Sequence, residues 1–387
     1  MSSGWMTLYI NLPFMRFISY TRIIINLLLV IVIGCQSRDF ETLSSLDCYL
    51  GIDTVEFPYN VPLTYDKATS MVKGPDSSLS VVVLENNQDY KLISSKKEET
   101  HLGTYKENGK YFSVYYEGHI FAFNSPHIRE YHNNKLVKEY MVSDSFPFHG
   151  SKLARPIISD EYIIAAVYPS SDLASDYSYY MDLLNNGPLF VLINRTTGAK
   201  RYLGGYPIDV FPYNQNNEFK YNGIEYTYTF CLVGEDIYFM FGTCDVLYKI
   251  NIDSGEQQKA HQFDHFVFSD VGNNPANEMW EKQNKGTYVA TTSLVKQIVP
   301  IKHNEYILFS VTEKQEAESN YVDQLASNSY LLAFSLENNT VTNVIYLKNH
   351  YPFIEYTDES IILLRNRIKD ENEFNITSFT AVPHDCL

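Results

Sequence analysis

Residues Pro188–Leu203 read "PLFVLINRTTGAKRYL". The apolar run Leu189–Ile193 breaks at Thr196-Thr197-Gly198 and then resumes toward Tyr202 and Leu203. A glycine at such a tip supplies the positive φ of a tight turn, so the stretch predicts a β-hairpin. The shape recurs as "VLYKINIDSGEQQKA" (Val246–Ala260, turn Asp253-Ser254-Gly255) and "YLLAFSLENNTVTNVIYL" (Tyr330–Leu347, turn Glu337-Asn338-Asn339). Weaker copies are "SLSVVVLENNQDYKLI" (Ser78–Ile93) and "IREYHNNKLVKEYMV" (Ile128–Val142).

A second kind of hairpin precedes each of the three clear copies: "PIISDEYIIAAV" (Pro156–Val167), "TFCLVGEDIYFMF" (Thr229–Phe241) and "QIVPIKHNEYILFSV" (Gln297–Val311). "YFSVYYEGHIFAF" (Tyr111–Phe123) and "FIEYTDESIILL" (Phe353–Leu364) have the same form. Two hairpins make four antiparallel strands, and a four-stranded unit recurring along the chain predicts an all-β fold, a β-propeller. The spacing places six four-stranded blades at about 48–93, 101–142, 153–204, 224–267, 287–348 and 353–379, with five or seven as alternatives. The last shows three strands, and a strand from 48–57 is expected to complete it and close the ring.

Composition agrees. The chain has 387 residues, 45 % of them hydrophobic and 15 % aromatic, with 32 Tyr and 23 Phe. That favours strands and leaves ample material for a core. The net charge of −16 offers no basic stripe to neutralise phosphates, so no nucleic-acid partner is expected.

The N-terminus has its own chemistry. Arg16 and Arg22 precede "IIINLLLVIVIG" (Ile23–Gly34), an apolar run too short for the ~20 residues that span a bilayer. A basic start and a short apolar run predict a signal peptide over residues 1–34, with Met15 an alternative start to Met1. "VIGC" (Val32–Cys35) then resembles a bacterial lipobox, which implies that Cys35 is lipidated and heads the mature chain. Residues 35–47 are a short tether, and 48–387 the propeller domain. Asp39 and Glu41, close behind Cys35, look like the acidic surface-export tag of Bacteroidota lipoproteins. Together these imply an outer-membrane protein, lipid-anchored and facing the periplasm or the cell surface. If Cys35 carries lipid, Cys48, Cys231, Cys244 and Cys386 remain; they allow two disulfides with three connectivities, or free buried thiols.

Four aromatic–Pro–aromatic triplets, Phe57-Pro58-Tyr59, Phe146-Pro147-Phe148, Phe211-Pro212-Tyr213 and Tyr351-Pro352-Phe353, fall near presumed crossings between blades. Proline cannot donate to a ladder, and the flanking rings can wedge between blades. The long segments Tyr168–Pro188, Ser269–Gly286 and Thr312–Ser329 fall between second and third strands or between blades, so all three belong to one face. Long loops on a rigid scaffold are where binding concentrates. Tyr177, Tyr179, Tyr180, Trp280 and Tyr321 are the candidate contact residues, suited to sugar rings or peptide side chains. In the middle segment, Asn274 and Pro275 read as the cap and first residue of a short helix.

Catalytic signatures are absent from the sequence: no GxSxG, HExxH, GxGxxG or phosphate-cradling loop occurs. His127 and His132 are separated by an odd number and diverge on a strand; His261 and His265 share a face but make a weak metal site. No catalytic residue, metal or cofactor is therefore assigned. The lipobox, the aromatic and Asn-rich strands and the four-stranded repeats together resemble Bacteroidota lipoproteins with a six-bladed, TolB-like propeller, grouped as a domain of unknown function. The resemblance covers residues 40–380 and implies a binding or scaffold protein for a glycan, peptide or protein partner. The alternative is a propeller hydrolase or lyase acting on a polymer at the central channel.

Overall fold

A computed structural model describes strands between Thr54 and Pro383, all within the unit Ser44–Leu387. Side chains are described chiefly for residues 112–142, 154–167, 187–207, 228–263, 295–311 and 330–342. The described chain is all-β and propeller-like. It forms six antiparallel sheets with four strands on the main path of each, plus one two-stranded pair.

The first sheet holds β2 (Met71–Lys73), β3 (Leu79–Glu85), β4 (Asp89–Ser94) and β5 (Glu99–Thr104) in order. The second holds β6 (Phe112–Tyr116), β7 (His119–Asn124), β8 (His127–His132) and β9 (Lys135–Met141). The third is β10 (Phe148–His149) and β11 (Ile157–Ile158), both paired to β12 (Tyr162–Val167), followed by β13 (Phe190–Asn194) and β14 (Lys200–Leu203). A short β15 (Lys220–Tyr221) precedes the fourth sheet of β16 (Tyr228–Val233), β17 (Asp236–Phe241), β18 (Val246–Asn251) and β19 (Gln257–Gln262). β20 (Asn274–Pro275) precedes the fifth, made of β21 (Leu294–Ile301), β22 (Tyr306–Thr312), β23 (Ser329–Ser335) and β24 (Thr340–Leu347). In the sixth, β25 (His350–Tyr356), β26 (Ser360–Asp370) and β27 (Glu373–Pro383) are joined by β1 (Thr54–Leu63), paired antiparallel to β27. The N-terminal strand therefore completes the C-terminal sheet.

Three readings of the sequence change. Glu99–Thr104 is the outer strand of the first sheet rather than the opening of the second. The Ser78–Ile93 hairpin consequently supplies second and third strands instead of third and fourth. Asn274–Pro275, read as a helix start, is a strand paired with Lys220–Tyr221. An extended proline tolerates that place because an edge pairing can spare its missing N–H.

The hairpin tips show why the repeat persists. Asn194 Oδ1 accepts from Thr197 N (2.8 Å) and Oγ1 (3.0 Å), and Asn251 Oδ1 accepts from Ser254 N (2.9 Å) and Oγ (3.1 Å). Gly198 and Gly255 each take φ 73° at the same place, where a side chain would strain the backbone. The next backbone N–H ties this turn to the first hairpin of its own sheet: Arg195 to Glu161 O (2.7 Å), Ile252 to Glu235 O (2.8 Å), Leu336 to Glu305 O (3.0 Å).

The core lies between sheets. One cluster joins the second and third sheets through Phe121, Phe123, Ile128, Phe148, Ile163 and Val191. A second joins third and fourth through Phe190, Leu192, Leu203, Phe230, Phe239 and Ile252; a third joins fourth and fifth through Met240, Phe263, Phe309 and Phe334. Of the Pro-aromatic triplets, Phe148 opens the third sheet and meets Phe123 of the second edge to face at 6.2 Å. Tyr351–Phe353 opens the sixth sheet in β25, while Phe57–Tyr59 falls in the irregular stretch of β1 between Glu56 and Val61. Phe211–Tyr213 lies outside the described residues.

Candidate functional site

Four first strands converge on one cavity of about 290 Å³. Val114, Tyr115 and Tyr116 come from β6, Ile157 and Ile158 from β11, Thr229–Cys231 from β16, and Gln297–Val299 from β21; Arg155 and Pro156 enter just ahead of β11. Convergence of first strands is what an axial channel requires.

Most of this lining is apolar, so its polar members stand out. Gln297 and Thr229 are both nearly fully buried. A β-bulge between Val295 and Gln297 resets the pairing of β21, so that Gln297 stands opposite the buried Ser310. Bulges re-aim side chains in this way. The Thr229 hydroxyl accepts from Ile298 N (3.1 Å), linking fourth and fifth sheets along the cavity wall. Tyr116 donates to Asp160 Oδ1 (3.1 Å). Burial first, and that hydrogen bond second, push its hydroxyl above the usual tyrosine range, so it stays a neutral donor. Burial likewise pushes the Cys231 thiol up, which keeps it from being a thiolate nucleophile. Arg155 is the one charged residue in the described lining.

A second polar cluster lies between the second and third sheets. Glu130, buried on β8, accepts from Tyr140 Oη (2.9 Å) and Arg195 Nη2 (3.1 Å), and His119 Nδ1 lies 2.9 Å from its Oε1. The Arg195 guanidinium also donates to Ser159 O (2.7 Å) and lies over the Phe121 ring at 5.1 Å. Lys138 reaches the carbonyls of Arg195 and Thr196. Burying a carboxylate is costly unless it is paired and hydrogen-bonded, and here it is both.

Tyr177, Tyr179, Tyr180, Trp280 and Tyr321 lie outside the described residues, as do Cys35, Cys48, Cys386 and His265. The root of the Tyr-rich segment is described. Val167 N bonds Leu189 O (2.8 Å), and the Tyr228 hydroxyl, from the fourth sheet, bonds the carbonyls of Val167 (3.2 Å) and Leu189. Cys231 and Cys244 are buried free thiols in separate clusters. His127 sits 3.1 Å from Glu139, while His132 stacks on His119 at 4.5 Å, so the two diverge as their odd spacing demands. His261 packs against Phe263 and Phe334. Among the described residues no group of three His, Cys, Asp or Glu is placed to hold a metal. Sequence reasoning passed over Arg155, Thr229, Gln297, Glu130 and Arg195. Gln297, a lone amide in the run "QIVPI", and Arg195, at a turn position held elsewhere by Ile252 and Leu336, carried a readable signal.

The sequence matches no protein-family model and no curated protein. Its fold is similar to solved structures. A DUF4221 family member from Bacteroides vulgatus aligns at 10 % identity over 85 % of this chain and 97 % of its own, with a TM-score of 0.59. A putative exported protein from Bacteroides fragilis aligns at 9 % identity over 86 % of this chain and 94 % of its own, with a TM-score of 0.48. At such identities the likeness is one of fold alone.

Proposed function

We propose that this chain is a lipid-anchored binding or scaffold protein of the outer membrane, a propeller of six four-stranded blades that recognises a glycan, peptide or partner protein through its long-loop face. The position of the insertions carries this reading. The segment after Val167 joins second and third strands, as does that after Thr312; the segment after Gln262 joins a fourth strand to the next sheet. In an antiparallel sheet these connections leave from the same end, while the turns at the other end stay tight. Aromatic-rich loops rooted on a rigid frame suit recognition. Tyr228 supplies such a root for the segment that carries Tyr177, Tyr179 and Tyr180.

The competing reading, a hydrolase or lyase at the channel, needs convergent acids and bases. The described lining holds Arg155, two tyrosines and a neutral cysteine, and no carboxylate or histidine.

A glycan array and a cell-surface pull-down with the full chain test the proposal. Binding that disappears on deletion of residues 170–186 is the expected result; binding unchanged by the deletion sinks the long-loop assignment. Cys35→Ser is expected to move the protein from the membrane fraction to the soluble fraction, and retention on the membrane overturns the anchor.

A further inference from the structure

Five of the four-stranded sheets draw their strands from one continuous stretch of chain. The sixth instead joins the two ends of the propeller, by pairing β1 with β27. Where β1 begins, the register is Thr54↔Thr380, Val55↔Phe379 and Glu56↔Ser378, so each step back along β1 is one step forward along β27. β27 itself runs on past Thr380 and still pairs with β26 at Pro383, opposite Ser360. Cys48 stands six residues before Thr54, and Cys386 six residues after Thr380. Carried on, the same one-for-one count sets Cys48 opposite Cys386. Both belong to the compact unit Ser44–Leu387.

We propose that Cys48 and Cys386 form a disulfide that closes the ring covalently. Directly opposite residues of an antiparallel pair present their side chains on one face, with Cα atoms about 4.5 or 5.5 Å apart. Both spacings fall within the roughly 4.4–6.8 Å that a disulfide spans. A count off by one would send the two side chains to opposite faces. The two cysteines of the core offer no rival partner. Cys231 and Cys244 are each 3 % exposed, lie in different clusters and form no disulfide. Pairing either one with a terminal cysteine would require opening the packing between two sheets. The ladder that the bond would back up is itself irregular, since the β1–β27 register shifts between Glu56 and Val61. A bond there would enclose nearly the whole propeller, and long enclosed loops are where a crosslink restricts the unfolded chain most.

The chemistry is thiol–disulfide exchange. One cysteine thiolate attacks the disulfide of an oxidant and displaces one of its thiolates, giving a mixed disulfide. The second cysteine then attacks its partner's sulfur and releases the other thiolate. The two thiols give up two protons and two electrons, and the oxidant's disulfide becomes two thiols. In the cell the oxidant is a disulfide-bearing oxidoreductase of an oxidising compartment, so formation there rests on the export proposed above.

Glutathione disulfide supplies the oxidant in the test tube and makes the pairing testable apart from export. The full chain is oxidised, alkylated in its native state, and mapped as peptides without reductant. The expected result is one linked pair of peptides, carrying Cys48 and Cys386, with Cys231 and Cys244 alkylated only after unfolding. Reductant is expected to lower the Tm of the oxidised chain by several degrees and to leave that of Cys48→Ser and Cys386→Ser unchanged. The peptide map needs no variant, so it decides the matter even if a variant does not fold. The pairing is overturned if both cysteines stay open to alkylation after oxidation, or if either is found linked to Cys35, Cys231 or Cys244. The same map on chain taken from cells separates the two readings. A pair linked in both settings supports both, while a pair linked only in the test tube supports the pairing and counts against export.

Discussion

The joint between the second and third sheets and the joint between the third and fourth are built from equivalent positions with opposite chemistry. Strand register sets the equivalence. His132 and Asn194 close the third strands of their sheets, opposite His119 and Tyr162. Two residues before them stand Glu130 and Leu192, and two residues further in Ile128 and Phe190 pair with Tyr140 and Leu203 of the outer strands. Each faces the turn residue of the following sheet, Arg195 in one joint and Ile252 in the other. Thus Glu130, Tyr140 and Arg195 stand in one joint where Leu192, Leu203 and Ile252 stand in the next. One polar feature is shared: Lys138 and Arg201, equivalent on their outer strands, both cross to carbonyls of the next hairpin, Thr196 O at 2.9 Å and Asp253 O at 2.8 Å.

The difference teaches how one repeat can give its joints distinct identities. An apolar joint accepts any apolar partner of suitable size. A buried carboxylate accepts only the sheet that brings its cation, since any other leaves an uncompensated charge. The polar joint thereby favours the second sheet docking on the third over any other.

The comparison can be broken most severely from the apolar side. Phe190 is fully buried, with Phe230, Tyr228 and Phe239 ring centroids at 4.9, 5.4 and 5.6 Å. Phe190→Ala is expected to cost about 3–5 kcal/mol, read as a lowered denaturant midpoint. Next comes Arg195→Ile, which copies the neighbouring joint at one position and strands Glu130. A loss of about 3 kcal/mol is expected, and the triple variant Glu130→Leu, Tyr140→Leu, Arg195→Ile should recover most of it. A triple variant no better than the single one would show that the joints are not interchangeable.

Tyr140 gives a smaller effect that depends on pH. Burial, then its hydrogen bond to Glu130, raises its hydroxyl well above the usual tyrosine range. The folded state therefore holds a proton that the unfolded chain releases near pH 10. That contribution is whole below about pH 10 and is lost as pH rises further. Tyr140→Phe is expected to cost about 1 kcal/mol at neutral pH and to flatten the alkaline fall in stability, followed by urea midpoints at stepped pH. The smallest effect belongs to the fourth sheet, where Lys249 holds Glu130's place and Asp236 that of His119, 3.3 Å apart and partly exposed. Lys249→Met is expected to change stability by about 0.5 kcal/mol or less, and less again in high salt.

Much of this architecture was legible because strands and turns are local. Gly198, Gly255 and Asn339 marked hairpin tips by the positive φ they adopt, and alternating apolar runs marked the strands between them. The missing fourth strand of the last sheet was legible in place, since its three strands left room for an N-terminal partner, but not in extent: a strand from 48–57 was expected and Thr54–Leu63 fills the place. The site was much less so. Arg155 lies in "LARPIIS", where nothing nearby distinguishes it from any surface arginine. Its meaning comes from strands 74 and 142 residues further along the chain, which put Thr229 and Gln297 on the same cavity.

The sequence by itself determined most of the hairpins and the recurrence of a four-stranded antiparallel unit, because turn φ and side-chain period act within a few residues. Only the tertiary structure decided which polar residues share a cavity, which are buried in a joint, and that Glu130 meets Arg195 rather than water. Those outcomes depend on how one sheet's face meets the next, and burial, the quantity that turns an ordinary glutamate or arginine into a specific partner, exists only after the sheets have packed.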